Sequence, residues 1–149
     1  TVARMVELLS GNQSAKGKKL LEIGTGCGYQ TAIFSLYGFT ETYSIESAQM
    51  LHEQAKRNLR AAGVLIPARL ICADNQQGLP VVAPFDRIVI TQDVAEIPAA
   101  LLQQLAPDGR LVAPQLIENK RYLWLIEKIG SNYRETCITG FYDMKAESS

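Results

Sequence analysis

The stretch LLEIGTGCGYQ, residues 20–30, constrains the fold of this 149-residue chain more than any other. It opens as an apolar run interrupted by one acid, passes three glycines at alternate positions, and then turns helical. Leu20, Leu21 and Ile23 have the near-continuous apolar character of a strand covered on both faces. Gly24, Gly26 and Gly28 allow a tight turn and let a ligand lie against the backbone, where a Cβ would collide. Tyr29 to about Tyr37 is expected as a helix whose first N–H groups point at that ligand. Packing alone also accounts for glycines at a strand–helix junction, so the turn gains its meaning from the strand beyond it. That strand-like run, Tyr43-Ser44-Ile45-Glu46, ends in an acid about twenty positions past the turn, the spacing at which a carboxylate can hold a ribose.

Two phosphate-binding readings fail on single residues. The dinucleotide fingerprint needs glycine where Tyr29 stands, and the P-loop needs a lysine that does not follow these glycines. The pattern E-x-G-x-G-x-G instead resembles the first motif of the S-adenosylmethionine-dependent methyltransferases. On that resemblance the cofactor's methionine carboxylate suits the backbone N–H groups from Thr25 to Gly28, and its ammonium suits Glu22, directly or through water. Both ribose hydroxyls can donate to Glu46. The adenine amine needs an acceptor, for which Asp74 is the candidate, with Asn75 facing the ring edge.

Composition narrows the classes. Apolar residues make up 47% and charged residues 20%, and the formal net charge is zero. Neither a nucleic-acid footprint nor an anionic-membrane surface is expected from such a balance. Cys27, Cys72 and Cys137 are few and widely separated, which argues for a reducing, cytoplasmic setting and against a disulfide framework or zinc site. Cys27 reads as a small packing residue beside the glycines. His52 is the one histidine, which argues against a Ser-His-Asp triad and multi-histidine metal sites, and its polar neighbours Glu53, Gln54 and Lys56 point to a solvated surface position. No apolar run approaches the ~20 residues of a membrane span. The chain reads as one domain over 1–149, and because Thr1 already lies inside a helical pattern, a segment is expected upstream.

In chain order, residues 2–10 place Val2, Met5, Val6 and Leu9 on one helical face. After the first strand, the turn and its helix, Gly38 is the expected helix end. A strand at residues 41–46 leads to Ser47, a candidate N-cap, and a helix to Ala62 with Leu51, Ala55, Leu59 and Ala62 as its apolar stripe and Gly63 as terminator. Residues 68–73 and 85–91 read as strands three and four. Pro98 opens a helix to about Ala106, Pro107-Asp108-Gly109 turns, and residues 110–113 form strand five. Residues 122–128 and 135–142 read as antiparallel strands joined through Gly130-Ser131-Asn132, with Tyr122 and Trp124 packing. This order implies a doubly wound sheet with an antiparallel edge. Glu22 to Gly28, Glu46, Asp74-Asn75 and Thr91 to Asp93 then fall at strand carboxyl ends, where such sheets bind ligands.

With these residues in place, the chain resembles the protein-L-isoaspartate O-methyltransferase family along almost its whole length. VARMVELL is similar to that family's helix preceding the fold, LLEIGTGCGYQ to its first motif, SIES to its ribose strand, and APFDRIVIT with EIPAALLQQLAPDGRLVAP to its fourth strand, following helix and fifth strand. The resemblance implies an α/β fold, a mostly parallel Rossmann-like methyltransferase sheet with helices on both faces and a C-terminal antiparallel hairpin. It implies methyl transfer from S-adenosylmethionine to the free α-carboxylate of L-isoaspartyl residues in proteins or peptides, leaving S-adenosylhomocysteine.

The chain departs from the family on the acceptor side. The serine-glutamine-proline segment that the family carries before its first helix is not in this sequence. Ala73, Asp74 and Asn75 stand where the family has Gly-Asp-Gly. Gln92-Asp93-Val94 replaces small alanines, and an acid at Asp93 facing the pocket would repel an acceptor carboxylate. The family's C-terminal Arg-Phe-Val-Pro loop stands only as Gly140-Phe141-Tyr142-Asp143. Thr91 and Gln92 are the substrate-facing candidates, and the sequence nominates no catalytic residue. The alternative is a family member that binds S-adenosylmethionine but has another acceptor, or little catalysis.

Overall fold

The computed structural model describes residues 2–11, 13–39, 41–63 and 68–138. Seven strands form one sheet: β1 (Lys19–Ile23), β2 (Glu41–Glu46), β3 (Ala68–Cys72), β4 (Phe85–Ile90), β5 (Leu105–Ile117), β6 (Lys120–Ile129) and β7 (Asn132–Ile138), in the spatial order β3-β2-β1-β4-β5-β6-β7. β1 to β5 are parallel, and β6 and β7 run antiparallel to their neighbours. Between them lie α1 (Val2–Ser10), α2 (Tyr29–Tyr37), α3 (Gln49–Ala61) and α4 (Ala99–Gln103). The Rossmann-like sheet with an antiparallel C-terminal edge is the architecture that the strand–helix alternation implied.

Alternate residues of each strand feed two cores, as a sheet covered on both faces requires. Leu20, Val89, Val112 and Leu123 pack with Met5, Leu9 and Phe34 from α1 and α2. Leu21, Ile23, Ile45, Ile88 and Leu111 pack on the other face with Leu101 and Leu105. The chain order reverses direction at β1, between β2 and β4, so the carboxyl ends of these strands form the crevice where ligands of such sheets lie.

Four local expectations are corrected. Ser47 is not the cap of α3: Ala48 takes that position, its N–H held by Glu46 Oε2 at 3.1 Å, while Ser47 Oγ accepts the Asn75 N–H at 2.8 Å. The buried face of α3 is His52 and Ala55, with Leu51 exposed, so His52 is a core residue and not a solvated one. Three neighbouring polar side chains concealed that histidine, yet His52, Ala55 and Leu59 share one helical face. α4 stops at Gln103, because Leu105 already pairs with Phe85 in the sheet and the Gln104 side chain is tied to Leu79 N–H and Gln77 O. The Pro107-Asp108-Gly109 turn is therefore an irregularity inside β5, with Asp108 left-handed at φ 61. Cys27 is exposed, not packed. The side chain of Val2 and residues 139–143 lie outside the described residues.

Candidate functional site

The glycine turn is clamped from three sides. Gly24 N–H and Thr25 N–H both donate to Ile45 O, at 2.8 and 3.2 Å. Gly26 N–H donates to Glu46 Oε1 at 2.9 Å, and Asn58 Nδ2 on α3 donates to Cys27 O at 3.1 Å. All three glycines are left-handed, with φ of 97, 56 and 92. Their reasons differ. A Cβ on Gly24 would stand 2.6 Å from Thr91 Oγ1, and one on Gly28 would stand 3.2 Å from Leu59 Cγ, so these two are glycine for packing. Gly26 meets nothing within 4 Å and is the position where a ligand can rest on bare backbone. Behind it α2 begins at Gly28 with no side-chain cap, which leaves its first N–H groups to an anion.

Glu46 stands at the end of β2, only 2% exposed, and each carboxylate oxygen takes one backbone N–H, from Gly26 and Ala48. A carboxylate oxygen has two lone-pair sites, so capacity for two further donors remains. Glu22 is fully buried beneath the turn. Its Oε1 accepts the hydroxyls of Thr31 on α2 and of Ser44 on β2, the latter at 2.6 Å, and Ser44 Oγ is in turn 2.6 Å from Thr25 Oγ1. Glu22 Oε2 has no partner. Burial pushes the Glu22 carboxyl up from 4.5 to about 7, against the opposing pull of the Ser44 and Thr31 hydrogen bonds and with a further push from the charge of Glu46. Ser44 and Thr31 were not singled out from sequence. The signal was present, since Ser44 alternates with Glu46 on β2 and pairs with Glu22 in register.

Beyond β3, Asp74 is exposed and its Oδ1 accepts Gln76 N–H at 2.8 Å, a local turn bond. Asn75 and Gln76 line a cavity of about 340 Å³ together with Ile23, Ile90, Gln92, Asp93, Val94, Ala95, Glu96, Pro98 and Leu101. Asn75 Oδ1 is buried without a partner. The structure thus gathers the glycine turn, Glu46, Asn75 and Gln92 at one edge and leaves Asp74 at its rim. Thr91 is committed inward: its hydroxyl lies 3.0 Å from Ile23 O and 2.6 Å from Gly24 O, locking the end of β4 to the turn. It therefore holds the lip together, its one proton already committed to the backbone.

Asp93 does not stand as a bare charge. Arg121, at the start of β6, places both Nε and Nη2 at 3.0 Å from Asp93 Oδ2. Further along, Trp124 Nε1 donates to Gln115 Oε1 at 2.7 Å and Gln115 Nε2 donates to Ala95 O at 2.6 Å, so β5 and β6 together brace the loop after β4. Trp124 is thus a half-buried brace, in line with its expected packing role. Among the described residues no three or more His, Cys, Asp or Glu side chains gather to hold a metal ion, and no helix is long and apolar enough to cross a membrane.

A sequence profile of the protein-L-isoaspartate(D-aspartate) O-methyltransferase family matches residues 1–140. The protein-L-isoaspartate O-methyltransferase of Chromobacterium violaceum is 49% identical over 136 residues, which are 91% of this chain and 59% of that protein. The one from a Janthinobacterium species is 48% identical over 129 residues, 86% of this chain and 43% of its own length. Among solved structures, a protein-L-isoaspartate O-methyltransferase superposes with a TM-score of 0.76 at 30% identity, covering 91% of this chain and 44% of the other. A Plasmodium falciparum relative in complex with S-adenosyl-L-homocysteine gives 0.74 at 17% identity, over 92% and 66%, a likeness of fold. The chain spans about half the length of the curated relatives it matches.

Proposed function

Because the chain belongs to the protein-L-isoaspartate(D-aspartate) O-methyltransferase family, we propose that it transfers a methyl group from S-adenosylmethionine to the free α-carboxylate of L-isoaspartyl residues in proteins or peptides. One observation carries the cofactor half of this reading: a glycine turn with open space at Gly26 is bonded directly to the buried carboxylate of Glu46. The residues fit the cofactor. The uncapped start of α2 and the N–H groups around Gly26 suit the methionine carboxylate, Glu46 keeps lone pairs for both ribose hydroxyls, and the unpartnered Asn75 Oδ1 is an acceptor for the adenine amine. Asn75 is favoured over Asp74 for that role, since the Asp74 carboxylate is exposed and holds its own turn.

When bound, the cofactor supplies a methyl group activated on a sulfonium, so the protein needs to hold the acceptor carboxylate in line more than to supply a strong base. On the acceptor side Gln92 lines the cavity, and Arg121 neutralises Asp93, which removes the repulsion an unpaired acid would exert on an incoming carboxylate. We also place this activity in the cytoplasm, a reading supported by the three widely spaced, unpaired thiols.

The deciding experiment is transfer of labelled methyl from S-adenosylmethionine to an isoaspartyl peptide, with the aspartyl peptide as control and base lability of the product as the test for an ester. Label on the isoaspartyl peptide alone is the expected result. Cofactor binding without transfer to either peptide would move the assignment to another acceptor or to a binding role.

A further inference from the structure

The strongest unexplained feature is a buried polar seam between the sheet and α2. Glu22, Ser44 and Thr42 on β1 and β2, and Thr31 and Ser35 on α2, are all buried there, with Thr25 from the turn. A seam of hydroxyls around a carboxyl is costly in a core and is retained where it fixes geometry or charge. Ser44 gives its proton to Glu22 Oε1, so the Thr25–Ser44 contact is filled by the Thr25 proton. One carboxyl therefore holds the turn through Thr25, α2 through Thr31, and β2 through Ser44.

We infer that Glu22 is a positioning residue whose ionised carboxyl biases the site toward the cationic cofactor over its neutral, demethylated product, through the buried hydrogen-bond cluster that ties it to the glycine turn. This rests on the S-adenosylmethionine reading above. The cofactor and its product differ at one sulfur, a sulfonium in one and a thioether in the other. Where the carboxyl is ionised, its charge under the turn distinguishes them with no contact to either. The ionisable groups buried on this side of the sheet are few among the described residues. Glu46 lies on β2, and its charge opposes ionisation of Glu22. His52 lies on α3, buried with Nδ1 unpartnered, and Arg87 lies on β4 with its guanidinium turned to Gln13 and its own neighbour's carbonyl. α2 carries no carboxylate, histidine, lysine or arginine. With the carboxyl titrating at about 7, its proton is partly present at neutral pH, and a cation arriving at the turn displaces it.

The test is binding calorimetry on the full chain near pH 7, in buffers of different ionisation enthalpy, with S-adenosylmethionine and S-adenosylhomocysteine. The two ligands carry the same amino and carboxylate groups, but the sulfonium also acidifies the amino group of its own molecule, so the difference in proton release is read in wild type against Glu22→Gln. Wild type is expected to release a few tenths of a proton more with the cationic ligand than Glu22→Gln does, and its preference for that ligand should rise several-fold more between pH 6 and pH 8. Thermal unfolding is used to confirm that the variant folds. The same proton release in wild type and Glu22→Gln, or an unchanged pH dependence in the variant, overturns the inference. If Glu22→Gln does not fold, Ser44→Ala takes its place: loss of that hydrogen bond pushes the carboxyl further up, so the rise in preference should move to higher pH, and an unmoved rise overturns the inference. Failure of wild type to bind either ligand at any pH would instead remove the cofactor reading on which the inference stands.

Discussion

On the β1–β2 side of the carboxyl edge, the polar groups around the glycine turn are buried and bonded to backbone or to one another, whereas on the β4–β6 side Gln92 and Asp93 are exposed and one ion pair spans the gap. In the first region Glu22, Ser44, Thr25 and Thr31 form a continuous set, with Glu46 bonded to the same turn at Gly26 N–H, and moving any one disturbs several elements. In the second, Asp93–Arg121 and Gln115–Ala95 are separate ties between a loop and a strand. The side proposed for the cofactor is preorganised at a cost in stability; the side proposed for the acceptor is adjustable at little cost.

That difference makes its largest expected effect at Glu22. A carboxyl raised from 4.5 to about 7 on folding is stabilising in its protonated form. Its contribution is fully present below the unfolded value and is lost as pH rises through the folded one. A shift of this size corresponds to about 3 kcal/mol, lost between roughly pH 4.5 and 7 and level above. Glu22→Gln cannot titrate, so denaturant unfolding should show the wild type losing about 3 kcal/mol relative to the variant across that window. Parallel pH profiles for the two proteins would mean that the cofactor side carries no such electrostatic cost, and the contrast between the regions would rest on packing alone.

Legibility in the sequence divides along the same line. The turn, α2 and β2 were legible because their signals are local: glycines that must be left-handed, a Gly38 helix end, an acid at a strand end. Glu22 was legible as an acid but not as a buried one, since its burial comes from α2 folding back over β1. Arg121 gave no signal, because its partner lies 28 positions away and neither residue belongs to a periodic pattern. α4 and Ser47 were misread where tertiary ties overrode local preference: Leu105 was drawn into the sheet and Ser47 Oγ was taken by Asn75. Asn75 was placed at the site by its position after β3, yet only the cavity and the orphaned Oδ1 rank it above Asp74.

The second effect separates structure from binding within the cofactor region. Glu46→Ala removes an acceptor from Gly26 and Ala48 N–H and also the expected ribose partner. Cofactor affinity should fall by about 1–3 kcal/mol, the range for unpairing charged hydrogen bonds, as read by titration calorimetry. Undiminished affinity with a lowered unfolding midpoint would assign Glu46 to holding the turn and take the ribose from it.

The smallest effect on stability, and the most specific, belongs to the acceptor side. Arg121 and Asp93 have side chains 22% and 26% exposed, so their pair should be worth no more than about 1 kcal/mol to folding. Arg121→Gln frees the Asp93 charge at the cavity lip. At roughly 8 Å, with solvent screening, that charge opposes an incoming carboxylate by about 1 kcal/mol, or roughly fivefold in KM for an isoaspartyl peptide. KM for the cofactor should not move, and the double variant Asp93→Asn with Arg121→Gln should recover most of the loss, because the repelling charge is gone. A matched rise in both KM values would place the pair among the supports of the whole edge. An unchanged peptide KM would show that Asp93 lies too far from the bound carboxylate to be felt, and that Arg121 only pins β6 to the loop after β4.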